Sequence, residues 1–304
     1  MPPDTKASTR HILPYELRAM RLRTMTETDV PAGMRLKDLS GWNQTEHDWQ
    51  RFLSASPHGC FVAEMDGQVV GTVATISYEN KFAWIGMVLV DPARRGKGTG
   101  TQLLQRAVEY LDSTKIPTIK LDATPLGKPL YEKMGFATEY EIERLILKRK
   151  PADSQQSHAT WINERSDKPE FDAILRVDLE NFGADRGSLL VSLDREAPEF
   201  TLATTRDGHA AAYLFGRKGS FADHIGPWAS DDSESSRRLV ATFLERSSRE
   251  TAIADCLKSN SFAGHLLREH GFSYSRPLTR MYRGENRSPG NPEKLCAILG
   301  PEFG

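Results

Sequence analysis

The chain is poor in cysteine, and its three cysteines, Cys60, Cys256 and Cys296, lie far apart. An odd number without metal-site spacing argues against a disulfide framework or a zinc centre, and suits a reducing compartment. No apolar run approaches the roughly 18 residues that a membrane span needs. Residues 1–10 are polar and hold two prolines, unlike a secretory signal. We therefore expect a cytoplasmic protein without a membrane partner.

The chain also lacks a dominant charge. Its 40 Lys and Arg residues against 41 Asp and Glu residues give a formal net charge of −1. Proteins that bind nucleic acid usually carry a strongly basic balance, so we expect no nucleic-acid partner. With 304 residues, of which 38% are hydrophobic, the chain is long enough for two domains of about 150 residues each.

Residues 88–101 carry the most informative pattern, in which an apolar strand runs through three alternating glycines into an amphipathic helix. Gly96, Gly98 and Gly100 let consecutive backbone N–H groups turn toward one point at the helix N-terminus, a ready site for phosphate. The P-loop pattern does not fit, because Lys97 is followed by glycine, and no dinucleotide G-x-G-x-x-G pattern is present. The stretch predicts a phosphate cradle of another kind.

The first half predicts a definite order of elements. Asp66-Gly67 is a strong hairpin signal, and Gly135 is a C-cap after which Phe136 docks inward. The nearly continuous apolar run 82–90 is typical of a central strand covered on both faces. The predicted elements are helices 29–39 and 45–53, strands 60–64, 69–77 and 82–90, a helix with its apolar stripe at 103–111, strand 118–123 and helix 128–134.

The second half repeats this plan after a polar stretch at 151–159. Its predicted elements are strands 200–205 and 210–215 around Asp207-Gly208, strand 220–228, a helix with its apolar stripe at 239–244, strand 251–257 and helix 261–270. That last helix ends at Gly271-Phe272, which aligns with Gly135-Phe136 at an offset of 136 residues. The same offset places Asn260 on Thr124, Ala263 on Gly127 and Leu267 on Tyr131.

Arg95-x-x-Gly98-x-Gly100 resembles the coenzyme A signature of the GNAT acetyltransferase superfamily. The whole layout is similar to a bacterial tandem-GNAT family over about residues 20–283, with Gly-Trp-Asn-Gln at 41–44, Leu-Asp-Ala-Thr-Pro at 121–125 and Phe-Gly-Ala-Asp-Arg at 182–186. The resemblance implies an α+β (mixed α/β) fold of two tandem GNAT domains, each a mostly antiparallel twisted sheet flanked by helices. The expected parts are a disordered lead (1–17), an acetyl-CoA-binding GNAT domain (18–150), a linker (151–159), a degenerate GNAT-like domain (160–283) and a C-terminal tail (284–304).

The resemblance also implies acetyl-CoA as cosubstrate, with no metal. In GNAT domains the central strand pairs with the pantetheine arm, and a tyrosine four residues before Gly-Phe, here Tyr131, gives a proton to the coenzyme sulfur. Residues 229–236 of the second half hold three acidic residues and no glycine, so we expect one cofactor site, in the first half. The residues expected to hold the cofactor are Met87, Val88, Val90, Arg95, Gly96, Lys97, Gly98, Thr99, Gly100, Thr101 and Thr124.

The general base is not evident from the sequence. An amine that arrives as ammonium must lose a proton before it attacks. The glutamate that the family commonly carries on the central strand is absent, because 82–90 holds no carboxylate or histidine. We name Asp122 as the candidate base. Glu79, Asp223-His224 and a water chain remain alternatives.

The acceptor side is predicted from two loops. In this superfamily the loop between the first two helices lines the acceptor, and here it carries Trp42 and Asn43. Asp185 and Arg186 lie in the matching loop of the second half. These four residues are the predicted acceptor-binding set, although Trp42 could simply cap the core, and Asp185 could pair with Arg186.

The sequence therefore predicts an acyl-CoA-dependent N-acetyltransferase that acts on a primary amine of a small molecule. Transfer would be direct, in a ternary complex, since no Cys or Ser motif suggests a covalent intermediate. The second domain would help to shape the acceptor site, in a monomer or a homodimer. The alternatives are an acetyl-CoA-binding regulatory or sensor module and a protein lysine acetyltransferase.

Overall fold

The computed structural model describes residues 20–149, 171–206 and 209–304. The predicted lead (1–17), the linker (151–159) and the Asp207-Gly208 turn lie outside the described residues. The first half contains β1 (Arg21–Thr24), α1 (Val30–Leu39), α2 (Glu46–Ala55), β2 (Phe61–Met65), β3 (Gln68–Tyr78), β4 (Phe82–Val90), α3 (Thr99–Ser113), β5 (Thr118–Ala123), α4 (Lys128–Lys133) and β6 (Ala137–Lys148).

The second half repeats the order of the first. It contains α5 (Phe171–Phe182), α6 (Gly187–Glu196), β7 (Leu202–Arg206), β8 (His209–Lys218), β9 (Asp223–Ser230), α7 (Ser233–Arg246), β10 (Thr251–Leu257), α8 (Ser261–Glu269), β11 (Ser273–Gly284) and β12 (Leu295–Ala297). Turn residues mark the boundaries of several of these elements. Asp66 and Gly67 take the positive φ values, 54° and 74°, of a tight hairpin, and Gly135 and Gly271 end their helices at φ 83° and 88°.

All twelve described strands join one sheet, in the order β1-β2-β3-β4-β5-β11-β6-β10-β12-β9-β8-β7. The two halves exchange their long strands at its centre. Strand β11 of the second half lies against β5 of the first, and β6 of the first half lies against β10 of the second. The exchanged strands also pair with each other. The two halves therefore share one hydrogen-bonded sheet.

Two buried ion pairs lock the exchanged strands in place. Arg280 on β11 donates to both carboxylate oxygens of Asp122 on β5, at 2.9 and 2.8 Å. In the mirrored position, Arg144 on β6 donates to both oxygens of Asp255 on β10, at 2.7 Å each. Each pair joins residues that face each other across the ladder. Bidentate guanidinium–carboxylate geometry is strong and directional, so these pairs also specify the strand register.

The two faces of the sheet are covered differently. Helix α3 packs on one face of the first half through its apolar stripe, and α7 and α8 cover part of the second half. On the opposite face, residues of both halves build a single core. Its large members include Trp49 and Phe52 of α2, Phe182 of α5, Tyr213 of β8, and Phe303. This shared core joins the two halves on the face of the sheet opposite α3.

The last segment corrects the predicted boundary at residue 284. Rather than a tail, it contains β12, which lies inside the sheet between β10 and β9. Beyond β12, Ile298, Leu299 and Phe303 have no exposed surface. The sequence hides this role because a three-residue strand after a polar, Pro- and Gly-containing stretch leaves no periodic signal. The segment is an integral part of the core.

Candidate active site

The glycine loop leads into the N-terminus of α3. Gly96 and Gly98 adopt left-handed backbone, at φ 74° and 82°, which non-glycine residues rarely accept. Gly98 is the N-cap of α3 and has no side chain to cap the helix. In the second half, the equivalent helix α7 begins at Asp232, whose carboxylate accepts from the N–H of Ser235 at 2.9 Å. The N-cap side chain of α7 therefore accepts one of the first N–H groups of its helix, whereas Gly98 at the N-cap of α3 accepts none.

The predicted cofactor residues of this loop are accessible in part. Arg95, Lys97 and Thr101 are exposed, whereas Thr99 is buried. The Arg95 guanidinium donates to the carbonyl of Val90 at 3.0 Å and to the hydroxyl of Ser40 at 3.3 Å. Its side chain therefore ties the loop to the end of β4 and to the α1–α2 connection. The positive charge stays beside the helix N-terminus, where it favours an anion.

Beside this loop, strands β4 and β5 part from each other. They pair in parallel at Ala83–Ile119 and Trp84–Lys120, and no further pair joins them in the described part of the chain. From Gly86 onward on β4, and from Leu121 onward on β5, the facing main-chain edges stand apart. Such edges can pair with an extended amide-bearing ligand as if it were another strand.

A bulge in β4 lies at the opening of this cleft. Thr72 faces Leu89 and Ala74 faces Gly86, so Met87 and Val88 together stand opposite one residue of β3. Met87 takes a left-handed backbone conformation, with φ 55°. A bulge removes main-chain groups from the regular ladder and re-aims them. The predicted residues Met87 and Val88 thus occupy the irregular point of the strand.

The second half has a bulge at the matching place with different chemistry. Leu214 faces Trp228 and Gly216 faces Ile225, so Gly226 and Pro227 stand opposite one residue of β8. Pro227 matches Val88 by this count, and proline has no N–H to donate. The second half therefore lacks the main-chain donor that the first half has at its bulge.

The cleft of the second half is filled by the chain itself. Strands β9 and β10 pair in parallel at three positions and then part, and β12 enters between them. The N–H of Ser230 donates to Lys294 O, and the N–H of Ile298 donates to Asp255 O, both at 3.0 Å. These bonds satisfy both edges of the cleft. The matching cleft of the first half is open in the described structure.

Tyr131 lies on α4, which follows β5 along the chain. Its ring packs edge-on against Phe136, with centroids 6.1 Å apart. Burial raises the pKa of Tyr131 to about 12, so the phenol is protonated at neutral pH. Leu267 occupies the position of Tyr131 in the second half, as predicted. The main-chain oxygens of Tyr131 and Leu267 accept equivalent hydrogen bonds, from Phe136 N–H and Phe272 N–H, each at 3.1 Å. The second half has an aliphatic side chain where the first has a proton donor.

Thr124 begins the turn before α4. Its hydroxyl accepts from the N–H of Gly127 at 3.2 Å, as the Asn260 side chain accepts from Ala263 N–H, also at 3.2 Å. A Cβ on Gly127 would lie 2.9 Å from the Tyr131 ring, so glycine is needed for the tyrosine to sit there. Thr124 acts in this structure as a helix cap that positions α4.

Asp122 does not have the environment of a general base. Both of its oxygens are engaged by Arg280, and its side chain has no exposed surface. Asp255 makes the same arginine pair in the half that lacks the cofactor loop, which indicates a structural role for both. The alternatives are also engaged: His224 contacts Arg217, and Asp223 accepts from Ser247.

The predicted acceptor loops are instead held by contacts within the protein. Asn43 is buried, and its side chain bonds Phe221 N–H at 3.1 Å and both the N–H and the carbonyl of Ala222 at 3.0 Å. Arg186 is buried against Asp178, with two bonds of 2.9 and 2.8 Å. These contacts explain the polar residues in both loops without an acceptor.

The two remaining residues of the acceptor prediction also lie at the junction. The N–H of Asp185 donates to Glu79 at 2.8 Å, and its carboxylate accepts from Gly187 N–H. Trp42 is partly buried and packs against the shared core, in line with the core-capping alternative. Sequence patterns could not assign the longer contacts, because Glu79 lies 106 residues from Asp185 and Trp42 packs in the shared core.

A narrow polar pocket lies between the halves, on the face of β4 opposite α3. It has room for about one water molecule and combines aromatic walls with cationic and hydroxyl groups. Lys120, whose pKa burial lowers, pairs here with Glu139 at 3.0 Å. Sequence reasoning missed this pocket, because its lining comes from both halves. The lining residues are Phe82, Trp84, Lys120, Tyr140, Asn181, Phe182, Arg280, Pro289, Pro292 and Leu295.

None of the three thiols is available for covalent catalysis. All three are buried. Burial raises the pKa of Cys60 to about 11 and that of Cys296 to about 12, and it raises the pKa of Cys256 as well. Within the described residues no cluster of His, Cys, Asp and Glu could hold a metal ion, and no helix is long and apolar enough to cross a membrane.

Comparison with known proteins gives two family matches, one in each half. Residues 22–136 match the family described as Acetyltransferase (GNAT) family, and residues 174–297 match the Acetyltransferase (GNAT) domain. Together the two matches cover most of the chain. The second match includes β12, which agrees with the corrected boundary. The expected tandem fold, mixed α/β with a mostly antiparallel sheet, is confirmed.

Relatives and solved structures extend over both halves. Holothin acyltransferase of Pseudoalteromonas sp. is 26% identical over 267 residues, which are 86% of this chain and 87% of the relative. An uncharacterized N-acetyltransferase of Bacillus subtilis, YitH, is 23% identical and covers 70% of this chain and 74% of its own. A crystal structure from Pyrococcus horikoshii, described as that of an acetyltransferase, matches with a TM-score of 0.77 at 22% identity, covering 98% of this chain and 100% of that one.

Proposed function

This chain belongs to the GNAT family of acetyltransferases, and from that membership we propose that its first half binds acetyl-CoA in the cleft between β4 and β5. The acetyl group passes from there to the primary amine of a small molecule. The second half binds no acyl-CoA and instead builds the wall of the acceptor side.

The contrast between the two clefts carries this proposal. In the second half, the edges of β9 and β10 are satisfied by β12, a strand of the chain itself. In the first half, the same edges of β4 and β5 are left for a ligand, and the uncapped glycine loop lies beside them. A ligand with an extended amide-bearing arm and a phosphate group at one end would contact both the strand edges and the glycine loop.

Each predicted residue then has a physical task. The loop N–H groups after Gly98 hold the pyrophosphate, and the released N–H at the Met87–Val88 bulge faces the thioester carbonyl. A preorganised main-chain donor of this kind contributes a few kcal/mol in comparable acyl-transfer sites. Tyr131, protonated because burial raises its pKa to about 12, returns a proton to the departing sulfur.

Direct transfer to the amine is favoured over a covalent acyl-enzyme. A thiol nucleophile acts as its thiolate, and burial raises the pKa of all three cysteines far from neutrality. The bound acceptor must therefore attack the thioester itself, while both substrates are present.

A small acceptor is favoured over a protein lysine. The face of β4 on the acceptor side is covered by α5 and by the last segment of the chain, which leaves a narrow pocket. The relative that matches both halves is named for acyl transfer to holothin. A side chain presented by a folded protein would need a wide, open groove at this place.

Release of free thiol from acetyl-CoA tests the proposal. The purified chain is assayed with a panel of primary amines (tryptamine, phenethylamine, glucosamine, spermidine) and with lysine-containing peptides. Turnover that is faster with one of the small amines than with any peptide supports the proposal. Tight acetyl-CoA binding without turnover would favour a sensor, and faster acetylation of the peptides would favour a protein acetyltransferase; either result contradicts it.

A further inference from the structure

The missing carboxylate of the central strand is supplied from the far end of the chain. Residues 82–90 hold no acid, but residues 300–304 lie on the acceptor-side face of β4. The indole N–H of Trp84 donates to Pro301 O at 2.9 Å. A Cβ on Gly86 would lie 2.6 Å from Glu302 O, so a glycine at this point is what allows Glu302 to pack on the strand. Gly86 directly precedes the bulge at Met87.

Both halves anchor this segment. From the first half, the Tyr78 hydroxyl donates to Phe303 O at 2.8 Å, and the Phe52 ring stacks on Phe303 with centroids 4.6 Å apart. From the second half, Arg186 donates to the main-chain oxygen of Gly304 at 2.9 Å. The position of Glu302 is therefore fixed by buried contacts on both sides of the junction.

The two oxygens of the Glu302 carboxylate differ in their hydrogen bonds. The side chain is 2% exposed, and its Oε1 accepts from Arg217. Its Oε2 is buried and has no hydrogen-bond partner within the described residues. A buried carboxylate oxygen without a donor is costly, and native structures use such groups for ligands or ordered water. An ammonium group is a donor that matches both the charge and the geometry.

Glu302 shares its arginine with a second carboxylate. Arg217 also contacts Oδ1 of Asp48, at 2.7 Å. Arg144 faces Glu302 as well, but it is paired with Asp255. His224, the next neighbour of Arg217, is uncharged because burial lowers its pKa. None of these groups donates to Oε2 of Glu302.

We propose that Glu302 binds the ammonium group of the acceptor and serves as its general base. The inference rests on the proposed acetyl transfer, for which it names the residue that accepts the proton. The main chain of Glu302 packs on β4 at Gly86, one residue before the bulge, but it comes from the last segment of the chain. The second half thus provides a reacting group as well as a wall.

The proposed proton transfers balance with the group transfer. The ammonium gives one proton to the Glu302 carboxylate, directly or through one water, and becomes a neutral amine. Its nitrogen lone pair then forms the C–N bond to the acetyl carbon while the C–S bond breaks. The second nitrogen proton goes to solvent, the thiolate receives the phenol proton of Tyr131, and both side chains re-equilibrate with solvent.

The test compares Glu302→Gln with Asp48→Asn, using acetyl-CoA and the best amine of the panel. Both variants remove one carboxylate from Arg217, so a purely structural role predicts similar losses. We expect Glu302→Gln to lower kcat/KM for the amine by about 10²-fold or more, the usual scale for a general base. The KM for acetyl-CoA should change little, and Asp48→Asn should keep kcat within a few-fold of wild type.

The pH profile separates catalysis from structure. The groups that face Glu302 are Arg217, Asp48, His224, Arg144 and Tyr78. In wild type and in Asp48→Asn, kcat/KM should fall on the acidic side as the base takes up a proton. In Glu302→Gln that acidic limb should vanish. An unchanged acidic limb, or equal kcat losses in the two variants, would overturn the assignment.

A second variant covers the case in which Glu302→Gln does not fold. Glu302→Asp keeps the charge for Arg217 but withdraws the oxygens by one methylene group. We expect it to fold with a melting temperature near that of wild type and to lose at least tenfold in kcat. Wild-type kcat in this variant would refute the proposal. Absence of turnover in the wild-type chain with every amine would instead count against the proposed function itself.

Discussion

The two halves of this molecule have the same order of elements, but their matching clefts differ. In the first half β4 and β5 part beside an uncapped glycine loop, and in the second half β9 and β10 part around a strand of the chain itself. The bulge has a donating N–H in one half and Pro227 in the other. The packing of the duplicated fold is similar in both halves, and of the two described clefts the one in the second half holds a strand of the chain.

The comparison also separates residues that serve the fold from residues that serve the reaction. Features found in both halves, such as the Asp–Arg pairs and the caps Thr124 and Asn260, are needed wherever this fold occurs. Features found in one half, such as Gly98 and Tyr131, are candidates for function. By this criterion Asp122 belongs to the first group, although the sequence suggested it as a base.

The largest expected effect comes from exchanging the helix caps. Gly98→Asp places a carboxylate at the start of α3, on backbone with φ 82° that side chains rarely adopt, so it should block the loop N–H groups, repel the pyrophosphate, and weaken acetyl-CoA binding by at least about 10²-fold. Asp232→Gly should leave affinity unchanged and cost the fold only about a few tenths of a kcal/mol. Calorimetry on both variants measures this, with one acetyl-CoA per wild-type chain. Two equivalent sites per chain, or normal affinity in Gly98→Asp, would contradict the proposal that only the first half binds acetyl-CoA.

The next effect tests the shared ion pairs. Asp122→Asn and Asp255→Asn each leave a buried arginine without its counter-charge, and should each lower the free energy of unfolding by about 3–5 kcal/mol. Urea denaturation measures both, with Asp112→Asn, from the exposed pair with Arg283, as a control that should cost less than about 1 kcal/mol. A fall in kcat confined to Asp122→Asn, without loss of stability, would restore Asp122 as a base.

A smaller effect concerns the phenol that only the first half carries. Tyr131→Phe keeps the ring packing and removes the proton donor, so kcat should fall by about 10²-fold while acetyl-CoA affinity is retained. Steady-state kinetics with the best amine measure the change. Tyr110→Phe, on α3, is the matched control and should have wild-type kcat. If both variants have wild-type kcat, Tyr131 is a packing residue like its counterpart Leu267.

The smallest effect is a pH dependence of stability that belongs to the second half. His224 is buried, and burial lowers its pKa below the usual value of about 6.5, although Asp255 opposes the shift. The unfolded chain therefore takes up a proton that the folded chain does not, and stability should fall as the pH drops below about 6.5. The slope from this residue is at most about 1.4 kcal/mol per pH unit.

Denaturation of wild type and of His224→Gln between pH 7 and pH 5 measures this contribution. The variant should have a flatter profile, whereas His265→Gln, at an exposed site, should match wild type. Equal slopes in wild type and His224→Gln would show that the buried histidine is protonated in the folded state.

Much of the fold could be predicted from local sequence. Strands 82–90, 118–123 and 251–257 have the predicted bounds, because apolar runs between turn residues leave few alternatives. The repeat was visible because Gly135 and Gly271 end matching helices. Strands β6 and β11 were not predicted. Their partners lie across the junction, and half-buried strands that carry Arg144 and Arg280 lack a clear apolar alternation.

The site was predictable only where one segment of chain builds it. The glycine loop and Tyr131 belong to short motifs whose local conformation can be inferred from neighbouring residues. The acceptor side was predicted from polar residues in two loops, and in the structure Asn43 bonds the opposite half while Arg186 pairs with Asp178 of its own half. Glu302 carried no local signal, since its contact with Gly86 joins the last segment of the chain to the first half.

The exchange of long strands has a consequence for how the molecule is made. Asp122 and its partner Arg280 are 158 residues apart, so β5 leaves the ribosome with an open edge that no earlier residue can close. Such non-local pairing is slow to form and exposes strand edges in the meantime. Synthesis of the second half is therefore a step in the folding of the first. A protease cut between the halves, made before β11 is in place, would release two unfinished sheets.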